Sequence, residues 1–275
     1  MGKFLVPVLV MASLVPVAAA DRTARSVPLT IDNRGGVLID VRVNDAGPFT
    51  FLVDTGAGRS VIADDLARQV AAPVVAKSEV VTSVGSDMRL VVRLASVTVA
   101  SARMADVLAP TVPASQLARL APGVRGVLGQ DFLSAFNYTL DYRRRRLTWD
   151  EPRTCGAAGA LPMIKAEGRF VVALEGRDGA PLRLVPDSGS EVLVLFHTNP
   201  APQGSATIRV SSVGAGDRAA RPIPIAPLRV GGATLRDSSA YLTERVDADA
   251  DGLLPLHGFS SVSFGAGGAC LVARR

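Results

Sequence analysis

The 275-residue chain has little of three things: aromatic side chains, histidine and cysteine. Phenylalanine, tyrosine and tryptophan make up 5% of it, and no aromatics interleave with its basic residues, so nothing supports base stacking on nucleic acid. His197 and His257 are the only histidines. Two are few for a Ser-His-Asp arrangement, and there is no Gly-x-Ser-x-Gly elbow. Cys155 and Cys270 are the only cysteines, with no Cys-x-x-Cys, so a zinc site is poorly supported. Gly123-Val124-Arg125-Gly126-Val127-Leu128-Gly129 has neither the dinucleotide glycine spacing nor the P-loop lysine. No apolar run beyond the N-terminal segment reaches the length of a membrane helix.

What is abundant is glycine (26) and proline (18) in a composition that is 48% hydrophobic and 20% charged. That favours short strands and turns around a sizeable core, in one large domain or two lobes. The first twenty residues read as a leader. Lys3 is the positive n-region, Phe4 to Val17 is apolar, and Ala18-Ala19-Ala20 fits a small-x-small cleavage site before Asp21. The expectation is an exported protein, periplasmic or secreted, with no stable membrane anchor once the leader is cleaved. Export and an even cysteine count suggest a Cys155–Cys270 disulfide, worth about 4 kcal/mol for so long a loop; two buried thiols are the alternative. Without Lys3 the formal charge falls from +5 to +4. Much of this excess is Arg143-Arg144-Arg145-Arg146, read as a solvated hairpin turn; no nucleic-acid partner is expected.

The chain is written twice. Phe51-Leu52-Val53 delivers Asp54-Thr55-Gly56-Ala57, and Leu184-Val185-Pro186 delivers Asp187-Ser188-Gly189-Ser190, 133 residues later. Ser83-Val84-Gly85 returns as Ser212-Val213-Gly214. Gly126-Val127-Leu128-Gly129-Gln130-Asp131-Phe132 returns as Gly252-Leu253-Leu254-Pro255-Leu256-His257-Gly258-Phe259 with one insertion. The shared order indicates an internal duplication, with a leader over 1–20 and halves over 21–150 and 151–275. Strands are expected at Val37–Val43, Thr50–Val53, Val97–Val99, Leu140–Tyr142 and Arg146–Trp149. A hairpin is expected with Gly85-Ser86-Asp87 as its loop. Short helices are expected at Ala63–Val70, Ala114–Leu120 and Gln130–Phe136. Asp131 reads as a helix cap and His257 as structural.

Two carboxylates a hydrogen bond apart share one proton and titrate as a pair. The ionised member can take a proton from water while the other hydrogen-bonds a developing oxyanion. Asp54 and Asp187 are the candidates for those roles. Thr55 and Ser188 could orient the loops by their hydroxyls, and Gly56 and Gly189 would let backbone and substrate approach. Asp54-Thr55-Gly56-Ala57 after Phe-Leu-Val resembles the active-site motif of retropepsin-like aspartic peptidases. Gly126-Val127-Leu128-Gly129 resembles their hydrophobic-hydrophobic-glycine segment, and the tandem plan is similar to pepsins. The resemblance covers roughly residues 30 to 150 well and 165 to 275 more weakly. It departs at Pro186 before Asp187 and at Pro255 in place of Gly129.

The resemblance implies an all-β bilobal acid-protease fold, with two β-barrel-like lobes of six-stranded type and a cleft between them. It implies peptide hydrolysis at acidic pH on polypeptide substrates, with no metal or other cofactor. It also implies flaps at Ser83-Val84-Gly85 and Ser212-Val213-Gly214. A monomer with an intramolecular dyad is the leading expectation. The alternatives are a homodimer pairing two copies of Asp54, and a non-catalytic peptide-binding protein of the same fold.

Overall fold

The computed structural model describes residues 25–275 apart from 83–84, 151–159, 162, 167, 176–179, 198–207, 213–215, 226, 231–232, 236–238, 246–248, 266–267 and 274–275. The first half contributes β1 (Ser26–Pro28), β2 (Thr30–Ile31), β3 (Val37–Val43), β4 (Ala46–Val53), β5 (Val61–Ala63), α1 (Asp64–Gln69) and β6 (Val74–Thr82). It continues with β7 (Gly85–Val99), β8 (Ala102–Val112), α2 (Ala114–Ala118), β9 (Gly126–Leu128), α3 (Gln130–Leu133), β10 (Tyr138–Asp141) and β11 (Arg146–Trp149). The second half contributes β12 (Ala160–Leu161), β13 (Met163–Ala166), β14 (Arg169–Glu175), β15 (Pro181–Asp187), β16 (Leu193–His197) and β17 (Ile208–Ser212). Then follow β18 (Gly216–Pro224), β19 (Leu228–Val230), β20 (Ala233–Leu235), β21 (Ser239–Glu244), β22 (Gly252–Pro255), β23 (Phe259–Gly265) and β24 (Gly268–Ala273).

These strands form two eight-stranded sheets with the same wiring. One runs β2-β3-β4-β9-β5-β8-β7-β6 and the other β13-β14-β15-β22-β16-β21-β18-β17. In both, the strand carrying the aspartate pairs in parallel with the later glycine-led strand: Phe51 opposite Gly126, and Leu184 opposite Gly252. The duplication is therefore a duplication of topology. A third sheet, β1-β11-β10-β23-β24-β12, takes three strands from each half and joins them where β10 meets β23. The fold is all-β and bilobal, with each lobe built on eight strands rather than six. The halves differ most in their long hairpin. β7 and β8 are continuous, whereas Pro222, Pro224 and Pro227 accompany a break that leaves β19 and β20 as a separate two-stranded ribbon.

Local chemistry explains the first half. β3 alternates buried and outward residues along Val37–Val43, the period of a half-buried strand. It turns through Asn44 and Asp45, both at positive φ, which is the two-residue hairpin chemistry these side chains tolerate. The turn is so short that β4 starts at Ala46, ahead of the expected Thr50. Four further expectations are corrected. Gly85, Ser86 and Asp87 are not a loop but the start of β7, opposite Thr82, Val81 and Val80. Val97–Val99 is the far end of that same strand. The helices are shorter than expected, and the closing strand before the arginines runs Tyr138–Asp141. The arginines themselves do form the β10–β11 turn, with Arg144 paired to Asp141 at 3.1 Å.

Scarce aromatics are concentrated beside the shared sheet. Trp149 is fully buried, with Phe132 edge-on at 5.9 Å and Phe136 and Tyr138 tilted against it at 5.3 and 6.2 Å. Tyr138 stacks in turn on Phe264 of the other half at 4.8 Å. The Trp149 indole N–H has no hydrogen-bond partner among the described residues. Trp149→Ala should cost about 3–5 kcal/mol through the cavity it leaves. Trp149→Phe should cost clearly less, because it keeps an aromatic ring and removes the orphaned donor. Urea denaturation of the three proteins checks that order.

Candidate active site

Each aspartate stands at the end of its strand, where the parallel partner runs alongside. The Asp54 amide donates to Leu128 C=O at 3.0 Å, and Asp187 lies opposite Pro255. Each carboxylate is then wrapped by its own turn. Asp54 Oδ1 accepts the amides of Gly56 and Ala57, both at 2.9 Å. Asp187 Oδ1 accepts those of Gly189 at 2.7 Å and Ser190 at 3.1 Å. The two carboxyls lie close enough for each to shift the other's titration. Asp187 is buried and Asp54 partly accessible.

The hydroxyls cross between the loops. Thr55 Oγ1 donates to Pro186 C=O at 2.7 Å and accepts the Ser188 amide at 3.0 Å. Ser188 Oγ donates to Val53 C=O at 2.7 Å and accepts the Thr55 amide at 3.1 Å. All four bonds are buried and obey a twofold exchange. Thr55 and Ser188 thus lock the halves together, a larger task than orienting their own loops. The glycines leave room for the opposite carboxyl. A Cβ on Gly56 would lie 2.5 Å from Asp187 Cγ, and one on Gly189 would lie 2.9 Å from Asp54 Cγ.

Pro186 does not disturb this frame. The β15–β22 register equals that of β4–β9, placing Pro186 opposite Leu254 as Val53 stands opposite Leu128. On its other side, β14–β15 pairing ends at Leu184, whereas β3–β4 pairing continues to Val53. The missing amide falls where the ladder has already stopped. Its carbonyl, the group Thr55 needs, is unaffected.

Support around the two loops is unlike. Asp131 is not the helix cap; Gly129 holds that position. Asp131 Oδ1 instead accepts the Ser60 hydroxyl at 2.6 Å and amide at 2.8 Å, and Ser60 Oγ accepts the Gly129 amide at 3.0 Å. Buried Gln130 donates to Thr55 C=O and to the Tyr138 hydroxyl, both at 3.0 Å. The matching strand registers equate Ser60, Gly129, Gln130 and Asp131 with Leu193, Pro255, Leu256 and His257. Proline offers no amide, so no hydroxyl is required to accept it. Gln130 was legible as a polar residue inside an apolar run, but its partners lie 75 and 8 residues away. Sequence reasoning also missed Arg169, whose charge acts on Asp54.

Among the flap candidates, Gly85 opens β7 and Ser212 ends β17, while Ser83, Val84, Val213 and Gly214 lie outside the described residues. Cys155 also lies outside them, so its pairing with Cys270 on β24 stays an expectation. Among the described residues no cluster of His, Cys, Asp and Glu could hold a metal ion.

The family model described as gag-polyprotein putative aspartyl protease matches residues 39–135. That segment, about a third of the chain, is what resembles this family. A search of curated proteins finds no match. Among solved structures, edgp and the Basic 7S globulin from soybean each align over 90% of this chain and 94% of their own, with TM-scores of 0.50 at 10% and 9% identity. A retropepsin-like aspartic protease from Rickettsia conorii aligns over 45% of this chain and 89% of its own, at 17% identity and a TM-score of 0.33. The two full-length alignments show the bilobal fold.

Burial raises the pKa of both aspartates above the ordinary 3.8. For Asp54 this is opposed by hydrogen bonds from Asp187, Gly56 and Ala57 and by Arg169. For Asp187 the charge of Asp54 adds to burial, so it is raised further. The folded state therefore holds more protons than the unfolded chain at pH values above 3.8, up to the raised values. The carboxyls' contribution to stability is intact below pH 3.8 and is lost as pH rises through that window. Asp187→Asn should melt close to the unsubstituted protein near pH 3.5 and above it at pH 7, by about 2–4 °C for each kcal/mol relieved. Thermal melts across that range check the sign.

Proposed function

We propose that the protein is an aspartic endopeptidase in which Asp54 and Asp187 form the catalytic dyad. One observation carries this reading: two carboxyls from duplicated loops, each set against the other loop's glycine, stand inside a twofold frame of hydroxyls. Asp187, the more strongly raised, is the protonated member. Asp54, with Arg169 in its favour, is the ionised one. Asp54 removes a proton from a water held between them, and the water oxygen attacks the peptide carbonyl carbon. Asp187 donates its proton to the carbonyl oxygen as the C=O π bond opens. Collapse of the tetrahedral diol breaks the C–N bond. The amine leaves with the proton that Asp54 took, and Asp187 regains its own.

Polypeptide is the substrate this chemistry serves, and one chain supplies both carboxyls, so a monomer is sufficient. Asp54→Asn and Asp187→Asn should each lower hydrolysis of a denatured protein substrate by about 10²–10⁴-fold or more, with activity confined to acidic pH in the parent. Full activity in either variant sinks the reading. An intact Asp187→Asn with rate rising as the square of protein concentration would point to a dimer of Asp54 copies.

The leader reading is part of the same proposal: residues 1–20 direct export and are removed. Intact-mass measurement of the exported protein should show Asp21 as the first residue.

A further inference from the structure

Beside the second loop lies a shallow notch open to solvent, lined by Asp32, Arg34, Gly36, Leu52, Leu120, Gly189 and Glu191. It borders the dyad directly, since Gly189 is the glycine over which Asp54 sits. Leu52 and Leu120 give it an apolar wall. Its polar groups can be counted as donors and acceptors. Arg34 is already engaged, with Nη1 on Glu191 Oε1 at 3.1 Å and Nη2 donating to Arg119 C=O at 3.1 Å. The Gly189 amide is held by Asp187. The Gly36 and Arg34 amides both go to Asp32 Oδ1 at 2.8 Å. Among the described residues, no hydrogen bond reaches the second oxygen of Asp32 or of Glu191.

The notch therefore presents carboxylate acceptors and one cation already paired to Glu191, with two negative charges against one positive. A substrate carboxylate would meet a surplus of negative charge, with the Arg34 guanidinium already paired to Glu191. A plain aliphatic side chain would use the leucines alone. A lysine or arginine side chain would lay its methylenes on the leucine wall and its cationic head on the Asp32 and Glu191 oxygens. We infer that this notch is a subsite selecting a basic substrate side chain next to the scissile bond, with Asp32 and Glu191 as the specificity-determining residues. The inference rests on the peptidase reading of the dyad.

The test uses statine-core peptides identical except for one flanking residue, placed in turn on each side of the statine as Lys, Leu or Glu. Their binding to the full mature chain is measured by calorimetry. At one position Lys should bind about 10-fold or more tighter than Leu, and Glu weakest. Asp32→Asn retains the Oδ1 acceptor for the Arg34 and Gly36 amides while neutralising the side chain. It should bring Lys to within about 2-fold of Leu at that position. Equal or tighter binding of Leu or Glu at every position, a Lys preference that survives Asp32→Asn, or no binding of any peptide overturns the subsite. The peptidase reading is scored separately by protein hydrolysis and its loss in Asp54→Asn, so cleavage without a basic preference removes the subsite and leaves the dyad standing.

Discussion

Two carboxyl groups buried side by side are the constraint on which the rest of this structure depends. Each is costly to ionise away from water, and both cannot be ionised at hydrogen-bond distance. The arrangement persists because four turn amides point at the two Oδ1 atoms and because one proton can serve both groups. Backbone donors keep their aim only if the loops cannot slide. The crossed Thr55 and Ser188 hydroxyls prevent sliding, since every bond in that exchange joins one half of the chain to the other. The shared six-stranded sheet serves the same end at larger scale. It fixes the halves through backbone pairing of Tyr138–Asp141 with Ser261–Phe264, and the Thr139 and Ser263 hydroxyls meet there at 2.8 Å.

A twofold frame does not require twofold sequence. Around Asp54 the loop is held by polar contacts through Ser60, Asp131, Gly129 and Gln130. Around Asp187 the equivalent positions are Leu193, Pro255, Leu256 and His257, and Leu193 and Leu256 are buried in the apolar core. The two solutions are self-consistent in different ways. A glycine amide needs an acceptor, so the first half supplies a hydroxyl and orients it with a carboxylate. A proline needs none, so the second half supplies hydrocarbon. Swapping a single member would leave a buried amide or hydroxyl without a partner, which costs more than either intact arrangement.

The sequence made the plan of the molecule legible because the duplication repeats its turn chemistry, and repeated turns imply repeated topology. Asp-Thr-Gly and Asp-Ser-Gly identified both loops because small and hydroxylated residues there answer to tight geometry. Where legibility failed, the cause was non-local. Gly85-Ser86-Asp87 has the composition of a loop, yet β6 holds it as strand, cross-strand pairing outweighing local propensity. Asp131 beside Gln130 has the composition of a cap, yet its partner is Ser60, 71 residues away. Pro186 looked hostile to a paired strand. Only the register shows that the ladder it would break ends two residues before it.

Fusion of the halves has an electrostatic consequence that a symmetric pair of identical subunits could not reach. The pairing registers place Arg169 where the first half has Gly36. Gly36 allows Asp32 to close its turn, because a Cβ there would lie 2.8 Å from Asp32 Oδ2. Arg169 instead brings a cation to bear on Asp54. In an exact twofold site the shared proton has no preferred side. Here Arg169 favours the ionised form of Asp54, while the charge of Asp54 acts to raise Asp187. The asymmetry that first looks like decay of the second copy is thus what distinguishes the two carboxyls, and it arises from residues that lie outside both Asp-(Thr/Ser)-Gly triplets.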